Sequence, residues 1–301
     1  MRIALRSFLL AATALAVMPM GSSGRPTALP RAAFFGDLSA IRSAVLTRIK
    51  EDLPEDRAHR TVLKRLEGTP VTREFIDQAF TDPRVRIEQS VVDRFNKPGE
   101  SLPYERYRRI FITPARIKAG REFYAANKPL MDEIAGSYGV DPMILLSIVG
   151  VETYFGRYGG QFTVFNALYT AIHKVPRRSE WAARELAQFL IYAFSDEVPP
   201  HSIKGSYAGA FGYFQFIPSS FNAYAVDYDG DGVRRPDEWP DVLASVANYL
   251  VENGYRPGDA DYSEGGSIWR SIYAYNHSDK YVKVVLELRQ EILKGVDHRA
   301  N

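Results

Sequence analysis

The run "GVDPMILLSIVGVETYFG", residues 139 to 156, sets one acidic residue, Glu152, into an otherwise almost wholly apolar stretch behind its opening aspartate. Asp141 followed by Pro142 reads as an N-cap with proline at the first helical position, which predicts a helix from there to about Gly156. At about 100° per residue, Leu145, Ile148, Val149 and Glu152 share one arc, with Glu152 near its middle. Ile144, Leu146 and Val151 make the other faces apolar too, which marks a helix enclosed on most sides. A carboxylate there must be paired, protonated or functional, because an isolated buried charge is strongly disfavoured.

The rest of the chain can supply that enclosure. Its 301 residues are 46% apolar, enough for one large domain or two smaller ones. A formal net charge of +2 without a long Lys or Arg run lacks the electrostatic footprint of a nucleic-acid binder. Residues 1–23 have Arg2 and Arg6, then an apolar core from about Phe8 to Val17, then small residues, which is the layout of a secretory signal peptide. Residues 24–34 read as a linker. The expected product is an exported, periplasmic chain with no membrane span, the alternative being a retained N-terminal anchor. With no cysteine anywhere, neither disulfides nor a lipid-modified N-terminal cysteine can form.

Apolar residues recur at helical spacing in "AAFFGDLSAIRSAVLTRIKED", "TREFIDQAFTD" and "ITPARIKAGREFYAANKPLMDEIAGSYG", and strand-like alternation is scarce. Turn formers cluster at "NKPGESLP", "KVPRRSE", "SDEVPPHSIKGS" and "DYDGDGVRRPDEWPD". The expected fold is mainly α, with a helical N-terminal region over 35–125 and a larger helical core over 126–296.

Four further stretches carry chemistry. "KGSYAGAFGYFQFIPSSF", residues 204 to 221, either lines a groove with donors or is a tight glycine-rich turn before a helix. "AYNHSDKY", residues 274 to 281, groups Tyr275, Asn276 and Tyr281. "PRRSEW", residues 176 to 181, offers Arg177 and Arg178 either to a substrate carboxylate or to solvent. In "DYDGDGVRRPDE", residues 227 to 238, Asp227, Asp229 and Asp231 stand at positions 1, 3 and 5 of an EF-hand-like loop, with Gly232 at 6 and Glu238 at 12. Val233 would offer its backbone carbonyl, and Arg235 at position 9 cannot ligate. Three carboxylates so close repel one another unless a cation neutralises them.

These motifs, with "GVDPMILLSIVGVETYFGRYGG", "SVANYL" and the upstream "RYRRIFITPARIKAGREF", together resemble the lytic murein transglycosylases of the membrane-bound transglycosylase B type over roughly residues 70 to 290. The resemblance implies a lysozyme-like helical core and cleavage of the bond between N-acetylmuramic acid and N-acetylglucosamine in peptidoglycan glycan strands. It implies Glu152 of the "VET" motif as the catalytic acid, and Ser206 and Gln215 as residues holding the sugar. Tyr249, Tyr275, Asn276 and Tyr281 would surround them, with Tyr107, Arg177 and Arg178 in the same cleft. It also implies a structural calcium ion in an elongated loop, 227–241, whose last ligand is Asp241 rather than Glu238. The missing lipid-attachment cysteine separates this chain from lipid-anchored members. Other cell-wall enzymes are conceivable partners.

A glycosidase ordinarily uses two carboxylates, and the "VET" helix offers one. The expected solution is substrate assistance: Glu152 protonates the leaving oxygen, the substrate's N-acetyl group stabilises the cationic centre, and the C6 hydroxyl closes a 1,6-anhydro ring. A hydrolytic lysozyme-like muramidase and an inactive wall-binding scaffold stay open as alternatives, although the intact glutamate argues against the scaffold.

Overall fold

Caps and prolines set most of the helix starts in the computed structural model, which describes residues 56–96 and 102–296. All of these belong to one unit, Glu55–Asn301. The expected signal peptide and linker lie outside the described residues. Helix α1 (Arg57–Arg65) starts where Asp56 accepts from the Ala58 amide at 2.8 Å. It is followed by α2 (Arg73–Thr81), α3 (Gln89–Asn96) and α4 (Tyr104–Phe111). Helix α5 (Pro114–Tyr138) begins with Thr113 as its cap and Pro114 in its first turn, and ends at Gly139, whose φ of 65° is open to glycine without strain. The boundary expected at 125/126 falls inside this helix, which continues past Pro129 to Tyr138.

Helix α6 (Pro142–Thr153) is the buried helix, capped by Asp141, whose carboxylate accepts from the Met143 amide at 2.7 Å. Its end corrects the sequence reading, which ran it to Gly156. Tyr154, Phe155 and Gly156 have φ values of 54°, 58° and 76°, so the chain leaves the helix through three successive left-handed residues. The cause is packing: the turn folds the Phe155 ring back onto α6, and a Cβ on Gly150 would stand 2.7 Å from that ring. Glycine at 150 is what admits the aromatic side chain.

Four more helices follow. They are α7 (Val164–Lys174), α8 (Ser179–Ser195), α9 (Pro218–Tyr224) and α10 (Trp239–Glu252). The last two, α11 (Ser267–Tyr275) and α12 (Asp279–Leu293), close the chain. Helices α5, α10 and α12 pack on α6, while α7 pairs with α8; α1 packs on α8, α3 on α7 and α4 on α12. Leu145, Ile148 and Val149 are fully buried at the centre, as their shared arc requires. The one ladder among the described residues is two residues long, β1 (Phe162–Thr163) against β2 (Lys204–Gly205), antiparallel with Phe162 opposite Gly205. Among the described residues no single helix is long and apolar enough to cross a membrane.

Candidate active site

Helix α12 grips α6 at both ends. Near the start of α6, Arg289 pairs with the Asp141 cap, which also accepts from the Tyr262 hydroxyl at 2.6 Å. Near its end, the Tyr281 hydroxyl donates to Glu152 Oε1 at 2.6 Å. The two helices therefore run antiparallel, and Glu152 is held by a donor from a rigid element. Tyr281 is only 2% exposed, whereas Glu152 keeps a partly open edge.

Burial pushes the Glu152 carboxyl from 4.5 up to about 7, and the Tyr281 hydrogen bond pulls the other way without cancelling it. Neither a carboxylate nor a cation among the described residues contributes to the shift. With Oε1 engaged by the tyrosine, Oε2 is the atom free to carry and deliver a proton. Glu185, also buried, is used differently: its carboxylate accepts from the Ser219 amide and hydroxyl at 2.9 and 3.0 Å, anchoring the start of α9.

A tyrosine wall continues from Tyr281. Its ring is parallel to that of Tyr275 at 6.4 Å, and Tyr275 meets Tyr249 edge-on at 4.8 Å. The Tyr275 hydroxyl donates to the Phe214 carbonyl at 2.6 Å and that of Tyr249 to the Ala274 carbonyl at 2.8 Å. Burial raises all three phenols, Tyr249 to about 12 and the other two well above the ordinary tyrosine value, so they remain neutral donors. Tyr107 lies near Tyr281, and its ring packs on Phe111 at 5.0 Å. Asn276 is exposed at the end of α11.

The glycine-rich stretch is pinned at two points, one on α11 and one on the catalytic helix α6. One is the Tyr275 bond to Phe214. The other is Thr153, whose hydroxyl donates to the Tyr213 carbonyl at 3.1 Å and accepts from the Gly156 amide at 3.1 Å. Gln215 follows at a φ of 53°, a strained value for a glutamine, with its Nε2 donating to the Gly212 carbonyl at 2.9 Å. Ser206 continues β2, and its Oγ accepts from the Ala208 and Ala210 amides at 3.2 and 3.1 Å, which leaves its hydroxyl proton to donate.

Arg177 and Arg178 stand apart from the tyrosine wall. Arg177 donates to the Phe95 carbonyl and Arg178 lies over the Trp181 ring, 5.8 Å from its centroid. Their patch reaches the glycine-rich stretch through Phe95 and Tyr207, whose rings are 4.9 Å apart. Sequence reasoning passed over Thr153 and Arg289. Thr153 had a local signal, a hydroxyl immediately after the glutamate at the helix end; the pairing of Arg289 with Asp141 spans 148 residues and had none.

In the acidic loop, carboxylate oxygens of Asp227, Asp229 and Asp241 all lie within 4.8 Å of one another. Asp227 accepts from the amides of Gly230, Asp231 and Gly232, which curls the loop around it. Asp241, 2% exposed in the first turn of α10, accepts from the Tyr228 and Arg235 amides at 2.8 and 2.7 Å. Burial raises its carboxyl above the ordinary range, with Asp229 and Asp227 adding to the shift. Asp231 and Glu238 turn instead to Arg235, Glu238 at 3.2 Å.

The family described as Transglycosylase SLT domain matches residues 55–264. Membrane-bound lytic murein transglycosylase B of Escherichia coli (strain K12) is 42% identical over 161 residues, 54% of this chain and 45% of that protein, so the match spans less than half of that relative's length. The Escherichia coli lytic transglycosylase Slt35, solved in complex with calcium, superimposes with a TM-score of 0.71 at 27% identity, covering 80% of this chain and 94% of that one. SltB3 from Pseudomonas aeruginosa, solved in complex with NAG-anhNAM-pentapeptide, gives 0.70 at 27% identity over 79% of this chain and 78% of that one. The likeness to lytic murein transglycosylases carried by the motifs is borne out by these matches, and the chain belongs to the transglycosylase SLT domain family.

Proposed function

We propose that the protein is a lytic transglycosylase with a lysozyme-like core that cleaves the β-1,4 bond between N-acetylmuramic acid and N-acetylglucosamine in peptidoglycan. The observation that carries this reading is a carboxyl, Glu152, raised to about 7 and steadied by Tyr281, with no second carboxylate among the described residues acting on it. A single acid suits substrate assistance. Glu152 Oε2 gives its proton to the glycosidic oxygen as the C1–O bond breaks, and the N-acetyl group of the muramic acid shares the positive charge at C1. The glutamate, now ionised, takes the proton of the C6 hydroxyl as O6 bonds to C1. Charge and atoms balance, and Glu152 ends protonated.

Ser206, Gln215 and Asn276 are the residues we assign to the sugar and its substituents. The rings of Tyr249 and Tyr275 shape the wall, while their hydroxyls hold the protein to itself. Tyr107 borders the same region, and Arg177 and Arg178 belong to a more distant stretch of the cleft. An intramolecular hydroxyl held near C1 acts with an effective molarity on the order of 10⁵ M or more, so ring closure outruns attack by water. Digested peptidoglycan should therefore yield 1,6-anhydromuramic products, each lighter by one water than hydrolytic products, in a mass spectrum. Reducing muramic ends that take up labelled oxygen from water would make the protein a hydrolytic muramidase instead. The substrate places the enzyme in the bacterial envelope, in keeping with the signal-like residues 1–23.

The loop 227–241 fits a structural calcium ion. Asp227, Asp229 and Asp241 supply hard oxygen donors within reach of one another, and a cation there would offset the burial of Asp241. Its chemistry is structural, tying the loop to α10. In metal-stripped protein, calcium at a hundredfold excess over its Kd should stabilise the fold by about 2.7 kcal/mol, seen as a rise in Tm that a chelator reverses. Asp229→Ala should make melting indifferent to calcium, whereas Glu238→Ala should keep the response. Equal melting of the stripped wild-type protein with and without calcium would dismiss the site.

A further inference from the structure

Over Tyr154, two residues beyond Glu152 in the chain, lies a cation with no carboxylate partner among the described residues. Arg116, in the first turn of α5, is 8% exposed and no carboxylate among the described residues pairs with it. Its Nη1 donates to the Ile110 carbonyl at 3.1 Å, and its Nε is buried without a hydrogen bond. The guanidinium lies over two rings, 5.0 Å from the centroid of Phe111 and 4.9 Å from that of Tyr154. Arg157 also stacks on Tyr154, at 5.0 Å. One ring, two residues after the glutamate, thus carries two guanidinium groups. A buried, uncompensated charge is costly to a fold, and here burial opposes the charge with only tyrosines nearby to favour it.

The surface around this pair is unusual in a second way. Among the described residues the two most exposed large hydrophobic side chains, Ile110 at 52% and Tyr158 at 63%, both flank it. Ile110 supplies the carbonyl that Arg116 holds, and the Tyr158 ring lies 5.6 Å from that of Tyr154. Tyr154 itself sits at a φ of 54°, rare for a bulky residue, at the end of the catalytic helix.

We propose that Arg116 and Arg157, rimmed by Ile110 and Tyr158, form a subsite for the carboxylates of a peptidoglycan stem peptide next to the cleavage site. This rests on the function proposed above. The chemistry matches: stem peptides combine free carboxylates with small apolar side chains, and a guanidinium pre-oriented on an aromatic ring binds a carboxylate with little loss of freedom. The subsite makes the enzyme read the peptide as well as the glycan.

The test compares Michaelis constants on three preparations of one glycan: with free-acid stem peptides, with the same peptides amidated at their carboxyls, and stripped of peptides by an amidase. Wild-type protein should show a KM about tenfold lower for the free-acid than for the amidated chains, the low end for hydrogen bonding to a charged group. Arg116→Gln should collapse that ratio toward one, and the exposed Arg157→Gln should reduce it. Arg157→Gln decides the matter if Arg116→Gln proves unfolded by melting. A wild-type ratio near one, or a ratio that survives in the folded variants while kcat falls on both substrates, would overturn the subsite and leave Arg116 as packing for Tyr154. A low KM retained on stripped chains, whose lactyl carboxylate is free, would reassign the cations to that group and overturn the peptide reading. Failure of the wild-type protein to cleave any of the three would overturn the proposed reaction itself.

Discussion

Glu152→Gln should yield a folded protein whose cleavage of peptidoglycan falls by at least about a hundredfold, within the range ordinarily supplied by a positioned general acid or base. The amide has the shape of the acid and can still accept from Tyr281 through its oxygen, so packing is preserved. It cannot give a proton to the leaving oxygen or take one from the C6 hydroxyl, so both halves of the reaction fail together. Turbidity loss of purified sacculi measures the rate and thermal melting reports the fold. A variant retaining a tenth of wild-type activity would remove Glu152 from the role assigned to it.

The same substitution has an effect on stability whose sign follows from the raised carboxyl. In the unfolded chain the group ionises near 4.5 and in the folded protein near 7, so the fold favours the protonated form. Wild-type protein has its full stability from this group below pH 4.5 and loses it as the pH rises through about 7. The loss is on the order of 3 kcal/mol once both states are ionised. Glutamine does not titrate. Relative to wild type, Glu152→Gln should therefore gain in Tm between pH 5 and pH 8. A Tm difference that does not change over that interval would contradict the buried, protonated acid.

Tyr281→Phe should cost activity by roughly ten- to a hundredfold, the worth of one hydrogen bond to a group that becomes charged. The loss falls on kcat, because the bond strengthens as Glu152 ionises during proton transfer. The pH profile separates this from simple loosening of the site. Wild-type activity should decline as the pH rises through about 7, where the acid form is depleted. The tyrosine bond favours the ionised carboxylate, so its removal moves that decline to higher pH. A lower rate with an unmoved alkaline limb would show that Tyr281 acts only by filling space.

Much of the molecule was legible from local chemistry. The start of α6 follows from Asp141 and Pro142, and its enclosure from apolar residues on every face; both depend on neighbours a turn or less away. The curled acidic loop is legible for the same reason, since Asp227 binds amides three to five residues on. The end of α6 was not legible. Nothing within a turn of Thr153 forbids another turn of helix, and the stop comes from the fit of the Phe155 ring against Gly150.

By itself, then, the sequence determined that the chain is mainly helical, that the Glu152 carboxyl is embedded in apolar surroundings, and the family whose motifs it carries. These depend on short-range sterics, on period and on residue identity. Tertiary structure alone decided that Tyr281 is the donor on Glu152 and that Arg116 has no counter-charge among the described residues. Each of these is a relation between atoms on separate elements, 129 residues apart for Tyr281 and Glu152. The strength of burial and of a hydrogen bond depends on where those elements finally pack, which no local pattern encodes.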